Sequence, residues 1–288
     1  MMIHPDILAA EAAYAPLAPF YDAFTDHPGY ARWVRELAAL AEQHGARRGA
    51  ALDVACGTGK SIVPLLELGY AVTGVDAVGA MLARAEAKLG GRVRLHHADM
   101  AALPVLGAFD LVTCLNDALN HLSTTARLTA ALGAMAANLR PGGVLVFDTN
   151  TPVTYTSFFA GTRTIGALTW AGDGFDARTA SATATLTLAD GHAVPQVQHH
   201  HEPAAVAGAV RAAGLALLAC HGQHDDGRRD LLLDPTVHTK AVWVCRRPDP
   251  ANEEEEVTRE GPEDQEGGDP AARLHQGRLT GRSAKGRG

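Results

Sequence analysis

The stretch 51–61, A-L-D-V-A-C-G-T-G-K-S, constrains the fold more than any other part of this 288-residue chain. Its first five residues are the right length for a buried strand, and Gly57 and Gly59 break that run before a helix-compatible I-V-P-L-L. Glycines between a strand and a helix permit a sharp turn and remove the Cβ atoms that would hold a ligand off the backbone. The following helix then points unsatisfied N–H groups and its positive end at whatever docks there. The stretch reads as a nucleotide-type ligand site.

Three loops share this outline. A dinucleotide loop, G-x-G-x-x-G, accounts for Gly57 and Gly59, but Ile62 stands where the third glycine belongs. A phosphate-cradling loop accounts for Gly59-Lys60-Ser61, yet Val54, inside the strand, stands where its first glycine is needed. The third, D-x-A-C-G-T-G, places Asp53 in the strand, four positions before Gly57. A carboxylate there repels a pyrophosphate and suits a ligand that carries positive charge, an ammonium or a sulfonium.

Downstream, short apolar strands at 70–75, 92–97, 109–115 and 143–149 alternate with helical patterns such as 81–89 and 127–139. That alternation predicts a parallel sheet covered on both faces, with the ligand at the strand C-terminal ends. Those ends carry acids. Asp76 closes the second strand, about 20 residues after the glycines, where a ribose-diol carboxylate belongs; it is also a good helix cap. Asp99 and Met100 follow the third strand in H-A-D-M, a carboxylate and an amide suited to an adenine edge. Past the fourth strand, L-N-D-A-L-N-H gathers Asn116, Asp117, Asn120 and His121 beside the expected ligand.

Upstream, an aromatic group (Tyr14, Phe20, Tyr21, Phe24) precedes a helix with Tyr30, Trp33, Val34 and Leu37 on one stripe up to Gly45. This segment packs on the core and can also serve as a lid. Residues 151–202 change to alternating polar and apolar strands with turn signals at Asp173-Gly174 and Asp190-Gly191, an antiparallel insertion after strand five. It ends in His199-His200-His201-Glu202. Neighbouring strand residues face opposite ways, so at most two of these histidines share a site; no metal centre is expected, and one ring is expected in the substrate cavity. A last helix, 203–213, leads to strands near 215–221 and 237–246. From 249 onward, acidic, Gly, Pro and Arg residues with almost no apolar partners predict a disordered tail.

The motifs together resemble the class I S-adenosylmethionine (SAM) methyltransferases, across roughly residues 20–248. The resemblance rests on D-V-A-C-G-T-G, the acid after strand two, A-D-M, F-D-L-V-T-C-L-N-D, and L-R-P-G-G before strand five. Within that class the chain is most similar to small-molecule N-methyltransferases, of the glycine N-methyltransferase and antibiotic amino-sugar kinds. The resemblance implies a Rossmann-like, seven-stranded, mostly parallel α/β sheet with helices on both faces. It implies an N-terminal lid and helix (1–48), a SAM-binding core (49–150), the insertion (151–202) as substrate wall, and the end of the sheet (203–248). It places Asp53, Ala55, Gly57 and Gly59 around the methionine moiety, Asp76 and Ala77 at the ribose, and Asp99 and Met100 at the adenine. Leu115 supplies backbone to the methionine ammonium, and Tyr21 and Trp33 close the lid. His121, Asp117 and His201 are the candidates for a base or orienting group. O-methylation, and a nucleotide-binding protein without chemistry, remain open beside N-methylation.

A net charge of −7 gives no basic surface for a polyanion, so a small molecule is the expected partner rather than nucleic acid. The four cysteines are far apart and fall on or beside strands, which fits reduced thiols in the cytoplasm. Neither a signal peptide nor a long apolar span is found, so no membrane association is expected.

Overall fold

The computed structural model describes residues 3–25 and 29–251. The elements run α1 (Pro5–Tyr14), α2 (Tyr21–Phe24), α3 (Tyr30–Gln43), β1 (Ala50–Val54), α4 (Ile62–Glu67), β2 (Ala71–Asp76), α5 (Gly79–Leu89), β3 (Arg94–His97) and β4 (Phe109–Cys114). Then follow α6 (Thr125–Asn138), β5 (Leu139–Asn150), α7 (Pro152–Ser157), β6 (Ala160–Ile165), β7 (Leu168–Asp176), β8 (Ser181–Thr187) and β9 (Ala193–His199). The described chain closes with α8 (Pro203–Ala212), β10 (Ala216–Gln223), β11 (Arg229–Asp230) and β12 (Lys240–Arg246).

The central sheet has the order β11-β10-β12-β5-β4-β1-β2-β3. β1 to β5 pair in parallel, and β12 enters antiparallel between β5 and β10. The sheet has eight strands among the described residues rather than the expected seven, the two-residue β11 lying on its edge. Two residues cannot carry a periodicity, so no pattern announces them. Side chains alternate across the sheet. Leu52, Val54, Val112 and Phe147 face α6 and α8 through Leu128, Leu132, Met135 and Val206. Ala51, Leu111, Val144 and Val146 face α3, α4 and α5 through Trp33, Leu37, Ile62 and Leu89. Near-continuous apolar strands are what burial on both faces requires.

Chain order reverses between β1 and β4, so the crevice at their C-terminal ends is the switch point where open α/β sheets bind ligands. The second sheet, β6-β7-β8-β9, is antiparallel and follows β5, as expected of the insertion. Its Trp170 and Leu186 pack with Tyr155 and with Leu17 from the N-terminal segment. The Asp190-Gly191 signal is the β8–β9 turn. Asp173-Gly174 is not a turn but a bulge within β7, where Gly172 pairs Ala184 and Gly174 pairs Thr183. A glycine at positive φ serves a bulge as readily as a hairpin turn, so the dipeptide alone does not choose. The described residues up to Asp249 form one compact unit. The expected tail lies, but for its first three residues, outside the described residues.

Candidate functional site

The glycine loop leaves β1 in left-handed conformations: φ is +57° at Ala55, +54° at Gly57 and +76° at Gly59. Ala55 lacks glycine's freedom, and strain of this kind gathers at functional sites. Gly59 is needed for space, because a Cβ there would lie 3.0 Å from Leu89 and 3.4 Å from Ala85 of α5. It thus does the close packing that the dinucleotide pattern assigns to a third glycine. Gly57 is open on its Cα face; a Cβ would meet only the Tyr21 ring, at 3.8 Å.

Asp76 joins the loop to the end of β2. One carboxylate oxygen accepts from the Gly57 amide and the other from the Val78 amide, each at 2.8 Å. Each oxygen keeps a second lone pair, the capacity a diol needs. Burial pushes this carboxyl up, against the pull of the amides. Asp53 lies beneath the loop, accepting from Ser61 at 2.5 Å and Thr113 at 2.7 Å. Burial raises its pKa to about 6, the two hydroxyls lower it, and the charge of Asp76 adds to the rise. Asp53 therefore braces the loop from inside. Ala77 offers its carbonyl to the His97 ring at 2.8 Å. Asp99 caps Ala101 at 2.9 Å and is gripped by Arg127 at 2.8 and 2.9 Å, so three of its acceptor positions are used. Met100 opens the short helix that Asp99 caps.

The N-terminal segment is latched over this loop. Asp22 accepts from Thr58 at 2.5 Å and pairs with Lys88 at 2.7 Å. Lys60 donates to the Thr25 carbonyl at 2.7 Å and lies 4.9 Å from the Tyr30 ring centre. The lysine that imitates a phosphate ligand is thus a lid anchor. Trp33 is buried in the α3 stripe and donates to Gln223 of β10 at 2.7 Å, so its indole ties the helix to the sheet.

Tyr21, which stands over Gly57, also lines a cavity of about 1210 Å³, whose lining includes neither the loop residues themselves nor Asp76. The N-terminal segment supplies Tyr21, Tyr30 and Trp33; the insertion supplies Trp170, Gln196 and Gln198; the sheet supplies Asn116, Asp117, Asn150 and Lys240. Asn116 and Asp117 follow β4 and Leu115 with φ of +63° and +56°, a second strained pair across the crevice from Ala55. Their amides donate to the two oxygens of Asp148, at 2.6 and 3.0 Å. Lys240, from β12, bridges Asp117 at 2.6 Å and Asp148 at 2.7 Å, and Gln198 donates to the second oxygen of Asp117. Burial alone would lower the lysine; the two carboxylates outweigh it and hold the ammonium above its ordinary range. Burial pushes Asp148 up, and Lys240 opposes it.

Two of the three base candidates stand elsewhere. His121 bonds Tyr14 at 2.8 Å and the Val197 carbonyl at 3.2 Å, and burial lowers its pKa. His201 is buried on the Leu122 carbonyl at 3.0 Å, and burial lowers it as well. His200 packs edge-on against Tyr155 and Phe175. The expectation that one of the adjacent histidines lines the cavity is therefore corrected: His199, His200 and His201 are all absent from its lining. His199 ends β9, and His200 and His201 lie where the chain turns to α8. The cavity instead holds His221, whose buried Nε2 has no hydrogen-bond partner. Lys240, Gln198 and His221 escaped sequence reasoning, because each reaches the site from a strand remote from the glycine loop. Only the strand positions of 237–246 and 215–221, and the insertion 151–202, hinted at them.

A doubly covered sheet with a strained glycine loop at its switch point, an acid at the end of β2 and a lidded cavity defines a nucleotide-ligand enzyme fold. Residues 51–143 match the family described as Methyltransferase domain. Over those residues the chain is similar to a methyltransferase domain. It is 37% identical over 134 residues to a dTDP-3-amino-3,6-dideoxy-alpha-D-glucopyranose N,N-dimethyltransferase of Streptomyces fradiae, covering 46% of this chain and 52% of that protein. It is 36% identical over 135 residues to glycine N-methyltransferase of Rattus norvegicus, covering 41% and 44%. The chain spans about half the length of these curated relatives. Across 80% of this chain and 95% of the other, it is similar to SAM-bound CalS10, an amino pentose methyltransferase from Micromonospora echinaspora, with 25% identity and a TM-score of 0.56. Among the described residues no helix is long and apolar enough to cross a membrane.

Proposed function

We propose that this protein moves a methyl group from SAM to a small-molecule acceptor, and that the acceptor is an amine. The residues present fit SAM. The open face of Gly57 leaves room against the loop, Asp76 has lone pairs left for a ribose diol, and Leu115 leads the strained turn across the crevice. Ala55 and Gly59 shape the same loop, while Asp99 and Met100 stand at the β3 end for the adenine edge. When bound, SAM supplies an activated methyl group on a sulfonium, ready for in-line substitution. What remains for the chain is to exclude water and hold the acceptor about 3 Å away.

The observation that carries the amine reading is the state of Asp117. Lys240 and Gln198 engage both of its oxygens, which fixes it as an orienting group rather than a free proton acceptor. A neutral amine needs orientation; a hydroxyl needs proton removal. Tyr21 and Trp170 close the sides, a wall suited to a compact ligand rather than a polymer. The buried cysteine thiols, all free, support a reducing, cytoplasmic setting.

O-methylation is the second reading, favoured by one observation: the unpartnered Nε2 of His221 in the cavity, where burial lowers the imidazole's pKa. Incubation with SAM and paired amine and alcohol acceptors of the same skeleton, read by mass, separates the two. A gain of one methyl on the amine partner alone is expected. Methylation of the alcohol, abolished in His221→Gln, would replace this reading.

A further inference from the structure

At the far rim of the cavity the β10–β11 hairpin meets the segment before β12. There His224, Asp230 and His238 turn their donor atoms toward one point, all within 4.8 Å of one another. One oxygen of Asp230 receives both imidazoles, His224 Nε2 at 2.9 Å and His238 Nε2 at 3.0 Å. We propose that these three residues form a site for a divalent transition metal of the zinc class, at the rim of the acceptor cavity and separate from the cofactor loop.

The site is built rather than incidental. His238 is 3% exposed, and its ring lies flat on Gly222 of β10. A Cβ at Gly222 would stand 2.1 to 2.4 Å from three ring atoms, so the ring reaches this position only because that residue is glycine. Gly222 is also the register partner of Asp230. The same backbone pair therefore seats the imidazole and presents the carboxylate. The other ring nitrogen of His238 lies between the Asp234 amide, at 2.9 Å, and the Asp234 carbonyl, at 3.0 Å. When Nε2 gives its lone pair to a metal, the proton moves to Nδ1 and donates to that carbonyl. This is the backbone contact that fixes the tautomer of metal-bound histidines.

Two imidazoles and one carboxylate form the donor set of an open zinc centre, with a fourth position left to water or to a donor atom of the cavity's occupant. Bonds of about 2.0 Å at tetrahedral angles need donors about 3.3 Å apart. A few tenths of an ångström of opening therefore admits the ion between Asp230 and each histidine. Arg228, 3.1 Å from the other carboxylate oxygen, is the competing cation, and it lies on the exposed side. His224 and Asp230 both line the cavity, so the ion would pin the rim that faces the acceptor.

The test is titration of tag-free full-length protein with Co²⁺, read by visible absorption, followed by displacement with Zn²⁺. One equivalent per chain is expected, with a spectrum that Zn²⁺ abolishes. His238→Ala should weaken binding by more than about 100-fold, above the range that loss of a supporting residue produces. Asp230→Asn, which keeps an acceptor for both imidazoles, should do the same. Binding of S-adenosylhomocysteine serves as the fold control for both variants. If His238→Ala fails that control, Asp230→Asn alone decides. Titration without saturation near one equivalent, or Co²⁺ affinity unchanged in Asp230→Asn, would overturn the site and assign the binding to other histidines of the chain.

Discussion

The glycine loop and the cavity are built in different ways. The loop is local: from Asp53 to Asp76 its geometry comes from strand ends, left-handed residues and two amides on one carboxylate. The cavity is assembled from afar, with Lys240 meeting Asp117 across 123 positions and Gln198 meeting it across 81. Backbone-built sites tolerate changes in distant side chains, whereas a buried ion network fails when one member is lost. Cofactor capture and acceptor placement should therefore be separable by mutation.

The largest effect should come from the network. Lys240→Met leaves Asp117 and Asp148 without their cation, and breaking a buried pair from one side costs about 3–5 kcal/mol. Urea unfolding should register this loss, while the cofactor affinity of the remaining folded protein stays near wild type. Equal loss of cofactor affinity would erase the distinction between the two regions. Asp76→Ala should do the reverse, weakening S-adenosylhomocysteine binding by about 1–3 kcal/mol in calorimetry, the range for an unmet polar partner.

Next comes pH. Burial lowers His121, His199, His201 and His221 below the ordinary 6.5, so the unfolded chain binds protons that the folded chain refuses. Stability is then complete above about 6.5 and falls as pH drops below it. Asp53, raised to about 6, works the other way between its unfolded value near 3.8 and 6, where the folded chain binds the extra proton. The midpoint of thermal unfolding should thus hold above about pH 7 and fall as pH drops below 6.5, where the four imidazoles outnumber Asp53. A flat profile from about pH 6.5 to 5.0 would contradict the lowered, buried imidazoles. The smallest effect belongs to Lys60→Ala. It removes a lid anchor, not a phosphate ligand, and should change S-adenosylhomocysteine affinity by less than about 1 kcal/mol, the net worth of one hydrogen bond.

What was legible in the sequence follows the same divide. Strand-helix alternation, the glycine loop, Asp76 and the insertion could all be read, because each depends on neighbours in the chain. The hold of Thr113 on Asp53 under the loop, the Arg127 grip on Asp99 and the lid latch of Asp22 on Thr58 and Lys88 could not, since each needs a partner placed by the fold. His121 and His201 misled because sequence proximity to a strand end fixes where a residue begins, not where its ring points. The rim cluster was invisible for the same reason. His224, Asp230 and His238 lack any compact ligand spacing, and Gly222, which seats one ring, reads as an ordinary strand interruption.

The most direct test of the central claim is a crystal structure with S-adenosylhomocysteine and an amine acceptor. The ribose diol should lie on Asp76 and the amino acid end against Ala55, Gly57 and Leu115. The sulfur should face the cavity, with the acceptor nitrogen within hydrogen-bond reach of Asp117. Cofactor bound away from the glycine loop, or an acceptor whose reacting atom is an oxygen beside His221, would contradict it.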